Sequence, residues 1–176
     1  SAWGADAVAA AGHKWLLGLW GAGFLYVESS LANELVPSAV GYRGVEKPTA
    51  DEFEWAAGAA RFEIGTANPA PHVALEASIE TVEEVGVAAI EDRIAGLAGR
   101  LADGVPDDRL LSPAEPESGL VTMRVEDPEA TVERLNEAGI VIRQLPYPEG
   151  AVRVSVHAVN TAAEVDDLLE ALATEW

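Results

Sequence analysis

The sequence predicts an α/β protein that closes on a small α+β domain, and three observations predict it. A glycine-punctuated run ends in the strand-like Gly23-Phe24-Leu25-Tyr26-Val27, apolar residues recur at helical intervals from Val73 to Leu101, and beyond residue 119 strand-like and helix-like stretches alternate. With 176 residues, 49% of them hydrophobic and 23% charged, the chain has the apolar material for a core and is not a disordered acidic tail.

Each element follows in order. From Trp3 a short Ala-rich segment leads into Gly12-His13-Lys14-Trp15, and Gly18 and Gly21 to Gly23 supply turns before the strand-like stretch. Residues 37–60 combine Pro37, Gly41, Gly44, Pro48 and Gly58 with few periodic apolar positions, which predicts an extended loop of the kind that is often functional. After Pro69-Ala70-Pro71, the residues Val73, Leu75, Ile79, Val82, Val85, Ile90, Ile94, Leu97 and Leu101 keep a helical spacing that Gly86 breaks or kinks. Residues 104–119 carry Pro106, Pro113 and Pro116, a linker or weak edge strand, and place a domain boundary there. Beyond it the pattern predicts strand 120–125, helix 129–138, strand 139–144, a turn from Pro146 to Gly150, strand 151–157 and helix 161–175. Asp127-Pro128 and Asn160-Thr161 start the two helices. Helices on one face of a mostly antiparallel sheet result. The chain has no internal repeat and no low-complexity tract.

Thirty acidic side chains against eleven basic ones give a formal net charge of −19, which repels polyphosphate backbones and anionic lipid. Nucleic acid and membrane surfaces are therefore excluded as partners. Lysine occurs only at Lys14 and Lys47, beside nine arginines, a pattern that points to adaptation to molar salt and a haloarchaeal source. The longest apolar stretch, Trp15 to Val27, contains three glycines and is too short to span a bilayer, and nothing resembles a signal peptide, so a cytoplasmic protein is expected. The absence of cysteine excludes disulfides, thiolate metal sites and a cysteine nucleophile within this segment. Because the chain opens on Ser1 into Ala-rich sequence, it reads as a fragment.

Lys14 stands out because a chain nearly emptied of lysine keeps one between His13 and Trp15, in apolar, glycine-rich sequence. Apolar surroundings favour the neutral form of an amine, which is the form that makes a Schiff base. A lysine snorkelling from a loop to water is the competing role. His72 and His157 lie in no ligand spacing and read as structural histidines, with no metal expected. Glu83-Glu84 and Asp166-Asp167 read as solvated helix faces.

Ala11-Gly12-His13-Lys14-Trp15-Leu16, followed by Gly18, Gly21, Gly23 and Leu25-Tyr26-Val27, resembles the cofactor-lysine segment of the class V aminotransferase family. Arg61-Phe62-Glu63-Ile64-Gly65-Thr66-Ala67-Asn68 is similar to that family's arginine-phenylalanine-glutamate-x-glycine-threonine segment. Val152-Arg153-Val154-Ser155-Val156-His157, with Asn160-Thr161 and Glu164-Val165-Asp166, is similar to its C-terminal signature. Three motifs in the family's order, over nearly the whole chain, make the resemblance specific.

The family comprises pyridoxal-phosphate enzymes on the type I aminotransferase fold, including cysteine desulfurases, selenocysteine lyases and isopenicillin N epimerase-like proteins. The resemblance implies that residues 1–103 end the large cofactor-binding domain, with an active-site loop at 37–60 and connecting helices, and that residues 104–176 form the small α+β C-terminal domain. It implies that Lys14 carries pyridoxal 5'-phosphate as a Schiff base and moves protons at the substrate Cα, and that His13 helps hold the cofactor phosphate. Many relatives have a hydroxyl residue two positions before the histidine, where this chain has Ala11. Thr66 matches the threonine that reaches the phosphate of the neighbouring subunit, which implies a homodimer with shared active sites; capping of the following helix is its alternative role. Arg153 matches the arginine that binds the carboxylate of a small amino-acid substrate, a task suited to a planar guanidinium. Arg143 is a candidate second cation at the same site, and surface ion pairing is the alternative for both.

The acidic partner of the pyridine nitrogen, the ring-stacking aromatic and the glycine-rich phosphate turn come from upstream sequence in this family, so the resemblance covers the C-terminal half of a subunit and implies that the isolated segment is inactive. Family desulfurases use a mobile cysteine near the segment matching Ile142 to Val152, and none is present here. Persulfide-forming desulfuration is thereby disfavoured. The expected function is a pyridoxal-phosphate-dependent transferase or lyase, with aminotransferase preferred slightly over selenocysteine or cysteine lyase-like chemistry. A non-catalytic dimerisation or interaction module is the rival from another class.

Overall fold

Alanine at four of its five positions gives β1 (Ala7–Ala11) little strand preference of its own, and its partner supplies the structure. The computed structural model describes residues 4–176; the expected Ala-rich start at Trp3 and the first residues of the 1–103 domain lie outside the described residues. β1 pairs antiparallel with β2 (Gly23–Val27), Ala7 opposite Val27 and Ala11 opposite Gly23. A Cβ on Gly23 would stand 2.5 Å from the Ala10 carbonyl oxygen, so only glycine fits that end of the hairpin. Helix α1 (Ser29–Glu34), not anticipated from the sequence, starts where the Glu28 carboxylate accepts the backbone N–H groups of Ser30 and Leu31. Residues 37–57 run without regular structure apart from a bridge between Val45 and Trp55, and a 3₁₀ turn occupies Gly58–Phe62.

The expected helical run divides at Gly86, which sits at φ 88°, into α2 (Pro69–Val85) and α3 (Val87–Gly104). The chain forms two compact units, residues 1–84 and 85–176, so α3 falls in the second of them. The reason is packing. Leu97, Ala98 and Leu101 of α3 belong to the same buried cluster as the strands and helices that follow, so the helix goes with the second unit.

In that second unit, β3 (Leu120–Arg124), β5 (Ala151–Ser155) and β4 (Arg143–Gln144) form an antiparallel sheet in the order β3-β5-β4. Valines and Met123 alternate inward, and α3, α4 (Pro128–Glu137) and α5 (Ala162–Leu172) supply Leu101, Leu135 and Leu172, all fully buried, to the same cluster. Both expected helix starts are built as capping predicts: Asp127 accepts from the Glu129 and Ala130 N–H groups, and Thr161 with Glu164 makes a reciprocal capping box. The strand expected over 139–144 shrinks to two residues. Gly139, at φ 80°, ends α4 and turns the Ile140 N–H back onto the Leu135 carbonyl, which withdraws that stretch from the ladder.

Arg100 on α3 grips both oxygens of Asp166 on α5, at 2.6 and 2.7 Å, and the two side chains are about half exposed. That hydrogen-bonded guanidinium holds the Asp166 carboxyl below its ordinary range, and the Thr161 N–H, then the Asn160 amide, do the same for Glu164. Carboxyls depressed in the folded state stabilise it above their unfolded value, about 4, and lose that contribution as pH falls through the folded one. We therefore expect the melting temperature of the second unit to fall with acidification below about pH 4, and the double variant Asp166→Asn, Glu164→Gln to flatten that slope. An unchanged slope would remove these carboxylates from the acid response.

Candidate active site

The connection between β1 and β2 is folded tightly onto its own hairpin. The Gly12 N–H donates to the Ala22 carbonyl at 2.9 Å, the Gly18 N–H to the Gly12 carbonyl at 2.9 Å, and the Leu17 N–H to the Lys14 carbonyl at 3.0 Å. Leu17 takes φ 58°, the left-handed geometry needed to close that last turn. Gly12 is buried against α2, where a Cβ would meet Leu75 Cδ1 at 2.8 Å. Lys14 therefore projects from a turn that is pinned on both sides. The sequence suggests a lysine enclosed by apolar neighbours, but in this unit Lys14 is exposed, and so are Trp15, Leu17 and Leu19. Among the described residues no layer covers them. Beside Lys14, the His13 imidazole stacks on the Trp20 indole, ring centroids 3.9 Å apart and 19° from parallel. Trp20 escapes sequence reasoning because a separation of seven residues inside a turn has no periodicity to mark it.

Thr66 is exposed beside a groove of about 530 Å³ that also includes Gly23, Phe24, Phe62 and Ile64. Its hydroxyl makes no hydrogen bond among the described residues. The helix cap considered as its alternative role belongs to Asn68, whose side-chain oxygen accepts the Ala70 N–H at 3.1 Å. Five residues before Thr66, Arg61 is only 9% exposed and donates to the carbonyls of Asn33, Leu35 and Ala56 and to Asn33 Oδ1, at 2.8 to 3.3 Å. This guanidinium ties the end of α1 to the segment that carries Thr66. The loop returns over the same backbone so closely that a Cβ on Gly41 would lie 2.4 Å from the Glu63 oxygen, and one on Gly44 would lie 2.6 Å from the Arg61 oxygen.

In the second unit, Arg143 of β4 stands directly opposite Arg153 of β5, and Thr122 of β3 is opposite Arg153 on its other side. Directly opposed residues share a sheet face, here the one turned away from the valine core. Neither arginine has a hydrogen bond or ion pair among the described residues, and Arg153 Nε is buried without a partner. Neither makes, among the described residues, the surface ion pair that is its alternative role. His72 Nδ1 lies 2.9 Å from the Asn68 carbonyl, and the His157 backbone N–H donates to Asn160 Oδ1. Lys14, His13 and Thr66 stand in the first unit, and Arg143 and Arg153 in the second.

The model of the family described as "Aminotransferase class-V" matches residues 1–168. The chain belongs to the class V aminotransferase family. It is 31% identical to a probable cysteine desulfurase of Methanothermobacter thermautotrophicus, over 96% of this chain and 47% of that protein. It is 34% identical to isopenicillin N epimerase of Streptomyces clavuligerus, over 95% of this chain and 46% of the other. Among solved structures, the cystine C-S lyase C-DES in complex with its reaction product cysteine persulfide is similar, at 29% identity with a TM-score of 0.87 over 97% of this chain and 46% of that one. A C-DES K223A variant carries glycine covalently linked to the pyridoxal-phosphate cofactor, and this chain matches it at 28% identity with a TM-score of 0.88. This class V chain is thus part of a type I aminotransferase fold and spans about half the length of the curated relatives it matches. No helix among the described residues is long and apolar enough to cross a membrane.

Proposed function

We propose that this chain supplies the lysine-bearing and carboxylate-binding half of a pyridoxal 5'-phosphate enzyme acting on a small amino acid, by transamination or related chemistry at Cα or Cβ. The observation that carries this reading is an exposed lysine on a turn pinned at Gly12 and Leu17, within a chain of this family that has only one other lysine. The residues present fit the cofactor. Among the described residues Lys14 offers a primary amine free of other partners, His13 an imidazole held by its stack on Trp20, and Thr66 an uncommitted hydroxyl. The cofactor, when bound, acts as an electron sink that lets a bond at the substrate Cα break.

In this reading Lys14 would hold the cofactor while no substrate is bound, and its amine, free once substrate occupies the site, would move the proton at the substrate Cα. His13 supports the phosphate side, and Thr66 reaches the phosphate bound in a second copy, which makes the protein a homodimer with shared active sites. Arg153 takes the substrate carboxylate, with its terminal nitrogens forming two parallel hydrogen bonds. Residues 1–103 close the large cofactor-binding domain in this scheme and 104–176 form the small one. The acidic, lysine-poor composition supports a salt-adapted protein of haloarchaeal type.

A second reading, a selenocysteine or cysteine lyase-like enzyme that forms no protein persulfide, is favoured by the β4–β5 connection, which contains no cysteine. Likeness to a cystine C-S lyase supports it further. Borohydride trapping of pyridoxal phosphate with peptide mapping, in molar potassium chloride, tests the common core of both. On the chain extended to the full length of its relatives, the label is expected on Lys14 and is lost in Lys14→Ala. A folded extended chain that takes no label at Lys14 would leave a non-catalytic dimerisation or interaction module as the reading.

A further inference from the structure

The three strands of the second unit contain three of the chain's nine arginines, Arg124, Arg143 and Arg153, and not one of its thirty acidic residues. In a chain of net charge −19 this sheet is cationic, and strand alternation puts all three arginines on the face away from the core. Arg124 already donates to the Glu149 carbonyl at 3.2 Å. Arg143 and Arg153, directly opposed, have no partner among the described residues. Like charges directly opposed on a sheet face destabilise it, and acidic side chains to neutralise them are abundant elsewhere in this sequence. Left uncompensated among the described residues, the pair is available to an anionic ligand.

The number of anionic groups follows from guanidinium chemistry. One planar guanidinium presents a fork that matches one carboxylate, with two parallel N–H donors, so two forks side by side match two carboxylates. We infer that the substrate is an amino acid with a second carboxylate in its side chain, its α-carboxylate on Arg153 and its distal carboxylate on Arg143. This rests on the reading of Arg153 as the carboxylate-binding residue and adds the substrate class. Arg143 is the specificity-determining residue in it, because an uncharged substrate leaves that guanidinium unmatched.

Arginine side-chain resonances of the ¹⁵N-labelled chain extended to the full length of its relatives, titrated with L-aspartate, L-glutamate and L-alanine at constant potassium chloride, test the proposal. The tighter of the two dicarboxylic amino acids is expected to bind about tenfold more tightly than L-alanine, the scale of one additional charge-assisted pair. Arg143→Gln is expected to bring it down to the affinity of L-alanine, whereas Arg124→Gln keeps the difference. Equal affinities for all three amino acids in the unsubstituted chain would overturn the inference. So would an equal loss in Arg124→Gln, which marks a diffuse positive field instead of a grip. Absence of all binding would overturn it together with the role of Arg153, while trapping at Lys14 is read independently.

Discussion

Replacing Arg61 with alanine is expected to release the loop over residues 33–57 and to cost the first unit on the order of 3 kcal/mol, given what hydrogen bonds to a charged group contribute and what buried acceptors lose when left unmatched. Three backbone carbonyls and Asn33 Oδ1 converge on this one guanidinium, and the first unit has few other large contacts to take its place. Its buried apolar residues are mostly small, with Val27, Val45 and Leu75 the largest of them. Arg61→Lys should recover little, because an ammonium has three donors and no planar fork to spread across carbonyls from α1 and from Ala56. Limited proteolysis provides the measurement. Cleavage between residues 35 and 57 should accelerate in both variants, and a protease pattern identical to that of the unsubstituted chain would show that the loop is held by something else.

The second large effect is expected at Leu101. This side chain has no exposure and sits where α3 meets the sheet and α5, so Leu101→Ala should lower the stability of the second unit by about 2 to 5 kcal/mol. Against the 5 to 15 kcal/mol of a typical domain, that is enough to populate the unfolded form at modest temperature. Urea unfolding followed by far-UV circular dichroism reads the change as a shift in midpoint. Leu111→Ala, at an exposed position of the same unit, serves as the comparison. A loss below about 1 kcal/mol at Leu101 would mean that the core collapses around the gap, contrary to the packing described.

How far these features were legible in the sequence differs between the units. The second unit was readable because its signals are local and agree with one another. Alternating valines set β5, Asp127-Pro128 and Asn160-Thr161 set the helix starts, and Gly86 ended a periodic run. β4 came out much shorter, since the pattern over 139–144 does not reveal that Gly139 will close a helix, and β5 and α5 stop at Ser155 and Leu172, short of the expected 157 and 175. In the first unit the structure depends on approach between distant segments. Gly41 against the 63–64 backbone, Gly12 against Leu75 and Arg61 across to Asn33 are spacings no window of sequence displays. The candidate site follows the same division. Lys14 was conspicuous by rarity, whereas the opposition of Arg143 and Arg153 needed the strand register to bring ten residues of separation to zero.

The hairpin of β1 and β2 has a further consequence. Among the described residues its sheet has two strands, so each strand presents one row of backbone donors and acceptors to whatever comes alongside. Ala-Val-Ala-Ala-Ala and Gly-Phe-Leu-Tyr-Val contain no charge and no proline, the residues that ordinarily keep an open edge from recruiting another chain. Neither strand therefore carries within itself a device that turns another chain away from its edge.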